Sequence, residues 1–482
     1  MNGHSGWRRR GAVLLAALAI LVTACGTRLD TTAVAKNEQF GEGPSGQTSN
    51  TPTLGASPTV GGANGGRATP GSNVAAPGPR PLVYDPGITD EEVRIGVTSP
   101  LSGIIGFMGE ETAGPINAFF KLTTAERGGI GGRRLRVISY DDRADPAQAL
   151  ANVKRLVEQD KVFMVVGTFT DSALEYVRQK NVPLMTFGGT APPFSSKYPT
   201  VFPLLGNALT FQQEGAYALV NHAGKRPKRV AVLYDTQTFD LRGYLDYFRQ
   251  TWSFLGAEVV SMDPLNLSDG DCTSLASKVR RLEIDYWDFN GLGWLHCMTA
   301  MERLGWRPPM GVGGWVTALA EFGNIVGPSI ANVWGPSTGD LLDGSPRTKT
   351  AAHSEYRRAI ATYAPAINND TNMQSPQTIG MWVGAKLIVD GLIAIAPTFT
   401  RRSFVDWMHG IKNFDVGIQP PIKSFAANCK RGSGGTWWAH WKWDSTKKEA
   451  FRSPETPYLG GFWADRYGGV CFVTKVADKI AG

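Results

Sequence analysis

From residue 88 onward the chain alternates short apolar runs with longer segments whose apolar positions recur every three or four residues. The run 93–98 reads as a strand, 115–126 as a helix, 135–140 as a strand and 146–158 as a helix. Segment 162–166 is apolar throughout, which suits a strand covered on both faces; a short helix at 173–179 and another strand at 183–187 follow it. The same order restarts at 229. It runs through strand 229–234, a helix whose Leu241, Tyr244, Leu245, Phe248, Trp252 and Leu255 form one apolar stripe, strand 258–261, helix 273–282, strand 286–289 and helix 295–304. Strands that alternate with helices in this way predict parallel sheets with helices on both faces. The fold class is therefore α/β, with two doubly wound parallel-sheet lobes, the first over 88–207 and the second over 208–331. Helical patterns at 354–363, 378–395 and 403–411 and an aromatic strand at 437–443 come next. This remainder is too short for a third domain and is expected to return to both lobes, about 332–410 completing lobe 1 and about 411–478 completing lobe 2.

Upstream of residue 88 the periodicity is lost. Residues 30–86 are rich in Gly, Ser, Thr, Pro, Ala and Asn and nearly free of large apolar side chains, so they bury too little surface to offset the ordering of their backbone. The region 25–86 is expected to be a flexible stalk with a reach on the order of 40 Å. Before it, Arg8, Arg9 and Arg10 precede the apolar stretch 11–22 and the string Leu21, Val22, Thr23, Ala24, Cys25. This string resembles a bacterial lipoprotein signal, which implies removal of residues 1–24 and acylation of Cys25. The apolar stretch is too short to span a bilayer. An ordinary secretory signal with a coincidental Cys is the competing reading.

Charge and cysteine usage narrow the class further. The formal net charge is +7, and taking away residues 1–24, which hold three Arg and no Asp or Glu, leaves +4. That is too mild a balance to argue for nucleic acid. The longest later apolar segment, 379–397, is interrupted by Lys386 and Asp390 and reads as a buried helix with a polar edge. Apart from Cys25 the cysteines are Cys272, Cys297, Cys429 and Cys471, an even number in a chain bound for an oxidising compartment. Of the three possible pairings, Cys272–Cys297 and Cys429–Cys471 join the partners closest in sequence. Zinc is disfavoured because there is no CxxC and the six His are scattered.

The segment GITDEEVRIGVTSPLSG at 87–103 resembles the opening of the type I periplasmic binding proteins, specifically the branched-chain amino acid (Leu/Ile/Val) binding family of ABC importers. ERGGIGGRRL at 126–135, DDRADPAQALANVKRLV at 141–157, VVGTFTDSAL and VPLMTFGGTAPPF look like that family's successive strand-loop units. The resemblance covers about 88–445, with strong motifs in the first lobe and weak ones in the second. It implies two hinged lobes that trap a small polar ligand (amino acid, amide or small carboxylate) and present it to an ABC permease. The protein would be a monomer, lipid-anchored outside the cytoplasm, with no cofactor and no catalysis. A ligand sensor signalling to a membrane or cell-wall partner keeps the same fold as an alternative, and an exported hydrolase is a third class.

Ligands of open α/β sheets bind beyond the carboxyl ends of strands, where hydroxylated loops lead into helix N-termini. By this analogy Thr170 and Ser172 after the third strand, and Gly188, Gly189 and Thr190 after the fourth, are ligand-binding candidates, with helix capping and turn formation as their alternative uses. From the second lobe the resemblance suggests Phe239, Trp294 and Trp315, for which core packing competes. The acidic residue that holds the ammonium of amino-acid ligands in the family falls at Gly313, unless Asp288 or Asp240 takes over. Trp437, Trp441 and Trp443 alternate along one strand and read as a packed sheet face. No GxSxG, P-loop or HExxH string occurs, and His296 beside Cys297 does not form a nucleophile pair, because adjacent helical residues point apart.

Overall fold

The computed structural model describes residues 84–103, 105–186, 197–204, 212–213, 215–216, 219–220, 224–238, 240–312, 320–331, 333–337, 349–419, 421–426, 429–431 and 437–452. The first lobe is built from β1 (Glu92–Ser99), α1 (Phe107–Arg127), β2 (Arg134–Asp141), α2 (Pro146–Glu158), β3 (Met164–Thr168), α3 (Leu174–Gln179), β4 (Leu184–Thr186) and β5 (Val201–Pro203). Its five strands are all parallel in the order β2-β1-β3-β4-β5. Alternation along β3 explains the double winding. Met164 and Val166 join the core that contains Phe119 and Trp382, whereas Val165 joins Leu184, Val153, Leu156 and Val177 on the other face.

The second lobe contains β6 (Arg229–Tyr234), α4 (Leu245–Phe254), β7 (Glu258–Pro264), α5 (Thr273–Arg280), β8 (Tyr286–Asn290), α6 (Trp294–Arg303), β9 (Met310–Val312), α7 (Ala320–Val326) and β10 (Val333–Ser337). The chain continues as α8 (Ala351–Tyr363), α9 (Pro376–Ile395), α10 (Arg401–His409), β11 (Lys412–Phe414), β12 (Ile422–Ala426), β13 (Cys429–Arg431), β14 (Trp437–Asp444) and β15 (Glu449–Arg452). The second sheet runs β15-β14-β10-β9-β8-β6-β7, with β10, β9, β8, β6 and β7 parallel and β14 and β15 antiparallel at one edge. The α/β class read from periodicity is thus the observed one.

The structure departs from the expected boundaries in three places. The helix expected to begin at Pro115 begins at Phe107, with Pro115 in its interior. An interior proline costs about 3 kcal/mol. Here Met108, Glu111 and Thr112 are buried on the preceding turns, Gln377 of α9 donates to Met108 O at 3.3 Å and to Thr112 Oγ1 at 2.6 Å, and this tertiary anchoring outweighs the loss. The C-terminal returns are also finer than a single split. β10 lies in the second sheet, α8 and α9 pack on α1, and β11–β13 form a separate three-stranded sheet beside β5. Third, Tyr84 and Asp85, at the end of the expected stalk, belong to the fold, with Tyr84 bridged to Phe399 and Asp85 N–H donating to Phe399 O at 3.0 Å.

Helix α9 is long and apolar enough to cross a membrane, but it is mostly buried against α1 and α8, with Phe119 and Tyr356 edge-on to Trp382. Its two interrupting charges pair with each other, Lys386 Nζ to Asp390 Oδ2 at 2.7 Å. In the second lobe, Cys272 at the start of α5 and Cys297 in α6 are buried with their sulfurs 2.02 Å apart. Cys25, Cys471 and the side chain of Cys429 lie outside the described residues. Trp441 is buried and Trp443 half-buried against the core.

Candidate functional site

Parallel strands place all their carboxyl ends on one edge, so the loops after β1, β2, β3 and β4 leave the first sheet side by side. In register, Thr168 at the end of β3 pairs with Thr186 at the end of β4. Thr186, the last described residue of that strand, therefore lies beside the start of the Thr170–Ser172 loop; Gly188, Gly189 and Thr190 lie outside the described residues. Thr170 is buried and Ser172 half-buried, with their hydroxyl oxygens 2.8 Å apart. Thr170 occupies the cap position of the short helical turn Asp171–Ala173 without giving it a side-chain hydrogen bond. Capping therefore does not account for the hydroxyl pair.

The loop after β1 is held by the loop after β2, an arrangement that sequence reasoning missed. Asp141 accepts Leu101 N–H at 2.8 Å and Arg143 N–H at 2.9 Å on one oxygen and the Ser102 hydroxyl at 2.6 Å on the other. Burial works to raise its pKa, but these hydrogen bonds outweigh it and hold the carboxyl below its ordinary range. Next to it Asp142 is fully buried, accepts Ala144 N–H at 2.9 Å and the Thr98 hydroxyl at 3.0 Å, and is pushed up to about 6 chiefly by that burial. The available signal was the acidic string DDRAD directly after a strand, which marks a turn rich in side-chain to main-chain bonds.

On the second sheet, Tyr234 at the end of β6 pairs with Asn290 at the end of β8, and Asp235 N–H donates to Asn290 O at 2.9 Å. Asp235 is buried and accepts the N–H groups of Gln237 and Thr238, each at 2.8 Å, turning the chain towards position 239. Gly291 makes this junction possible. Its φ is +129°, and a Cβ there would lie 2.4 Å from Asp235 Cβ. Phe239 and Trp315 lie outside the described residues, whereas Trp294 is fully buried at the first position of α6, within the core of its lobe.

Neither carboxylate considered for an ammonium partner is free for one. Asp240 is engaged by the Arg242 guanidinium at 2.7 Å through each oxygen, and Asp288 Oδ2 accepts from Gln212 Nε2 at 3.0 Å and Trp252 Nε1 at 2.8 Å inside the lobe. Burial foremost raises Asp288 to about 6. Tyr244, in the turn Leu241–Tyr244 after β6, is raised far above the ordinary tyrosine range, first by burial and then by the charge of Asp171 on the first lobe. Its place in an apolar helical stripe had pointed only to core packing.

Residues 92–448 match the family described as "Periplasmic binding protein". An "Amino acid binding protein" of Pseudomonas aeruginosa is 31% identical over 210 residues, which cover 42% of this chain and 54% of the relative. The "Leu/Ile/Val-binding protein" of Escherichia coli K12 is 23% identical over 270 residues, 53% of this chain and 68% of that one. The chain thus spans about half the length of the first of these relatives. Among solved structures, a periplasmic binding protein type 1 from Bordetella pertussis Tohama I superimposes with a TM-score of 0.63 at 18% identity, covering 76% of this chain and all of its own. A solute-binding protein of an ABC transporter from Rhodopseudomonas palustris HaA2, in complex with p-hydroxybenzoic acid, gives 0.62 at 15% identity, covering 78% of this chain and 100% of that one. At such identities the likeness is one of fold.

Proposed function

The chain belongs to the periplasmic binding protein family, and from that premise we propose that it is an extracytoplasmic solute-binding lipoprotein. It captures one small polar ligand between its lobes and delivers it to an ABC permease, without catalysis. The observation that carries this reading is the Thr170–Ser172 hydroxyl pair just after β3, whose end lies in register with the end of β4, since such hydroxyl-bearing loop ends suit a carboxylate or amide oxygen. The resemblance adds Gly188, Gly189 and Thr190 as ligand-binding candidates, with Phe239 and Trp315 from the second lobe, whereas Trp294, fully buried in the core of its lobe, serves packing.

Among amino acids, amides and small carboxylates, we place carboxylates and amides first. Asp288 and Asp240 are both spoken for within the protein, and a buried ammonium without a carboxylate is costly. The relative solved with p-hydroxybenzoic acid makes aromatic acids the natural first panel. Acylation of Cys25 tethers the mature chain as a monomer to the outer face of the membrane, and the Cys272–Cys297 pair is a covalent disulfide in that oxidising setting. A second pairing, Cys429–Cys471, follows from the same reasoning.

The test is a calorimetric titration of the purified chain with aromatic carboxylates, amides and α-amino acids. A carboxylate or amide is expected to bind one per monomer, and Ser172→Ala to weaken it by about tenfold, the worth of one hydrogen bond to a charged group. Tight binding of an α-amino acid that Asp288→Asn and Asp240→Asn leave intact would refute the ligand ranking. Failure of the whole panel on folded protein would refute the transport reading. For the anchor, Cys25→Ser is expected to release the protein from the membrane fraction.

A further inference from the structure

The turn after β2 carries three carboxylates, Asp141, Asp142 and Asp145, and runs through two consecutive non-glycine residues in the left-handed region, Arg143 at φ +55° and Ala144 at φ +58°. L-residues adopt that conformation at a cost, so the turn persists only while other bonds hold it. Two of its own carboxylates supply them. Asp141 accepts Arg143 N–H at 2.9 Å, and Asp142 accepts Ala144 N–H at 2.9 Å. Because Asp141 also holds Leu101 N–H and the Ser102 hydroxyl, the loop after β1 is fixed through this turn. We propose that Asp142 is a proton-operated latch on the turn, firm when its carboxyl is neutral and slack when it is charged, and that the latch sets how tightly the loop after β1 is held.

The surroundings of Asp142 decide the sign. The side chain is fully buried, and among the described residues no cation pairs with it. From β1 it meets the Thr98 hydroxyl at 3.0 Å, and that hydroxyl accepts Asn152 Nδ2 of α2 at 3.2 Å; neither partner is charged. Within the turn Asp141 and Asp145 add negative charge, while the exposed Arg143 guanidinium lies 3.7 Å from Asp141. Burial and two like charges therefore oppose the anion, and two hydrogen bonds favour it. The outcome is a carboxyl pushed up to about 6, chiefly by burial.

Opening the turn hydrates Asp142 and returns it towards its ordinary 3.8. The closed turn thus binds the proton more tightly than the open one, so acid favours closure and a rise through about pH 6 favours opening. For full hydration these two values make the closed-to-open ratio about tenfold larger at about pH 5 than at about pH 7.5. Asp141, held below its ordinary range, stays charged across this interval and keeps its bonds to Leu101 and Ser102. The consequence for ligand rests on the solute-binding reading: a loop held more firmly in acid gives tighter capture there.

The experiment compares the full chain with Asp142→Asn by hydrogen exchange, corrected for the intrinsic effect of pH. The reporters are Ala144 N–H, which Asp142 accepts, and Leu101 N–H, which Asp141 accepts. In the parent, protection of both amides is expected to rise about tenfold from about pH 7.5 to about pH 5, and in Asp142→Asn, uncharged throughout, to stay level. Equal protection of the parent at the two pH values overturns the proposal. So does a response at Ala144 that Leu101 does not share, because the turn would then not act on the loop, and so does a response that Asp142→Asn retains, because another group would then be titrating. The first two outcomes come from the parent alone and stand even if the variant does not fold. No ligand enters the measurement, so its failure leaves the solute-binding reading untouched, and failure of that reading leaves the latch untouched.

Discussion

Asp288→Asn tests whether the buried carboxylate of β8 is a structural acceptor or a partner kept for ligand. The side chain is 3% exposed, and a single oxygen, Oδ2, receives both Gln212 Nε2 and Trp252 Nε1. Burial lifts its pKa from the ordinary 3.8 to about 6 despite those bonds. The native state therefore holds this proton more tightly than the unfolded chain does. The associated stability is fully present below pH 3.8 and is lost as pH rises through about 6, a difference of about 3 kcal/mol. Asparagine keeps one oxygen for both donors and carries no charge. The variant should be more stable than the parent at about pH 8 by up to about 3 kcal/mol, less whatever its new amide N–H groups fail to bond, and the gap should close by about pH 4. Urea denaturation followed by tryptophan fluorescence at both pH values measures this, with Trp252 as a local reporter. Ligand affinity should not change. A variant less stable than the parent at the higher pH, or a stability difference independent of pH, would refute the reasoning.

Breaking the Cys272–Cys297 link by reduction or by Cys272→Ser should cost about 3.5 kcal/mol from the 25-residue separation it closes, and an unchanged melting temperature under reductant would show that the bond does not form. Gly291→Ala should destabilise by about 3 kcal/mol or more, since it combines φ +129° with a Cβ 2.4 Å from Asp235 Cβ; Gly256→Ala, at φ +85° but facing open space, should cost only about 1 kcal/mol, and chemical denaturation of the pair separates clash from backbone strain. Asp141→Ala frees Leu101 N–H and the Ser102 hydroxyl at once, so hydrogen exchange at Leu101 should accelerate and the affinity for the interlobe ligand should fall about tenfold, with little change in global stability.

How much of this was legible in the chain depended on whether the responsible interaction is local. Four of the five parallel strands of the first sheet, and the core stripe that includes Phe248 and Trp252, follow from side-chain alternation and helical period, properties of neighbouring residues, whereas the three-residue β5 is too short to show a period. Thr170 and Ser172 could be placed after a strand for the same reason. Helix α1 could not be bounded, because the turns before Pro115 are helical only through burial and through Gln377, more than 260 positions away. Asp141 could be seen as a turn residue but not as the clamp on Leu101 and Ser102, whose partners sit on another strand's loop.

Asp288 shows the same division within a single residue. Its position on a strand of mixed aromatic and polar character was readable, but its use was not: only packing brings the Trp252 indole and the Gln212 amide onto one of its oxygens and so withdraws it from any ligand. The chain by itself determined the longer strands and helices of both lobes and that their alternation makes parallel, doubly covered sheets, since these rest on contacts a few residues apart. Which polar groups are left facing open space and which are consumed inside was decided by tertiary structure, because hydrogen-bond partners and burial are set by segments that meet only once the fold has closed.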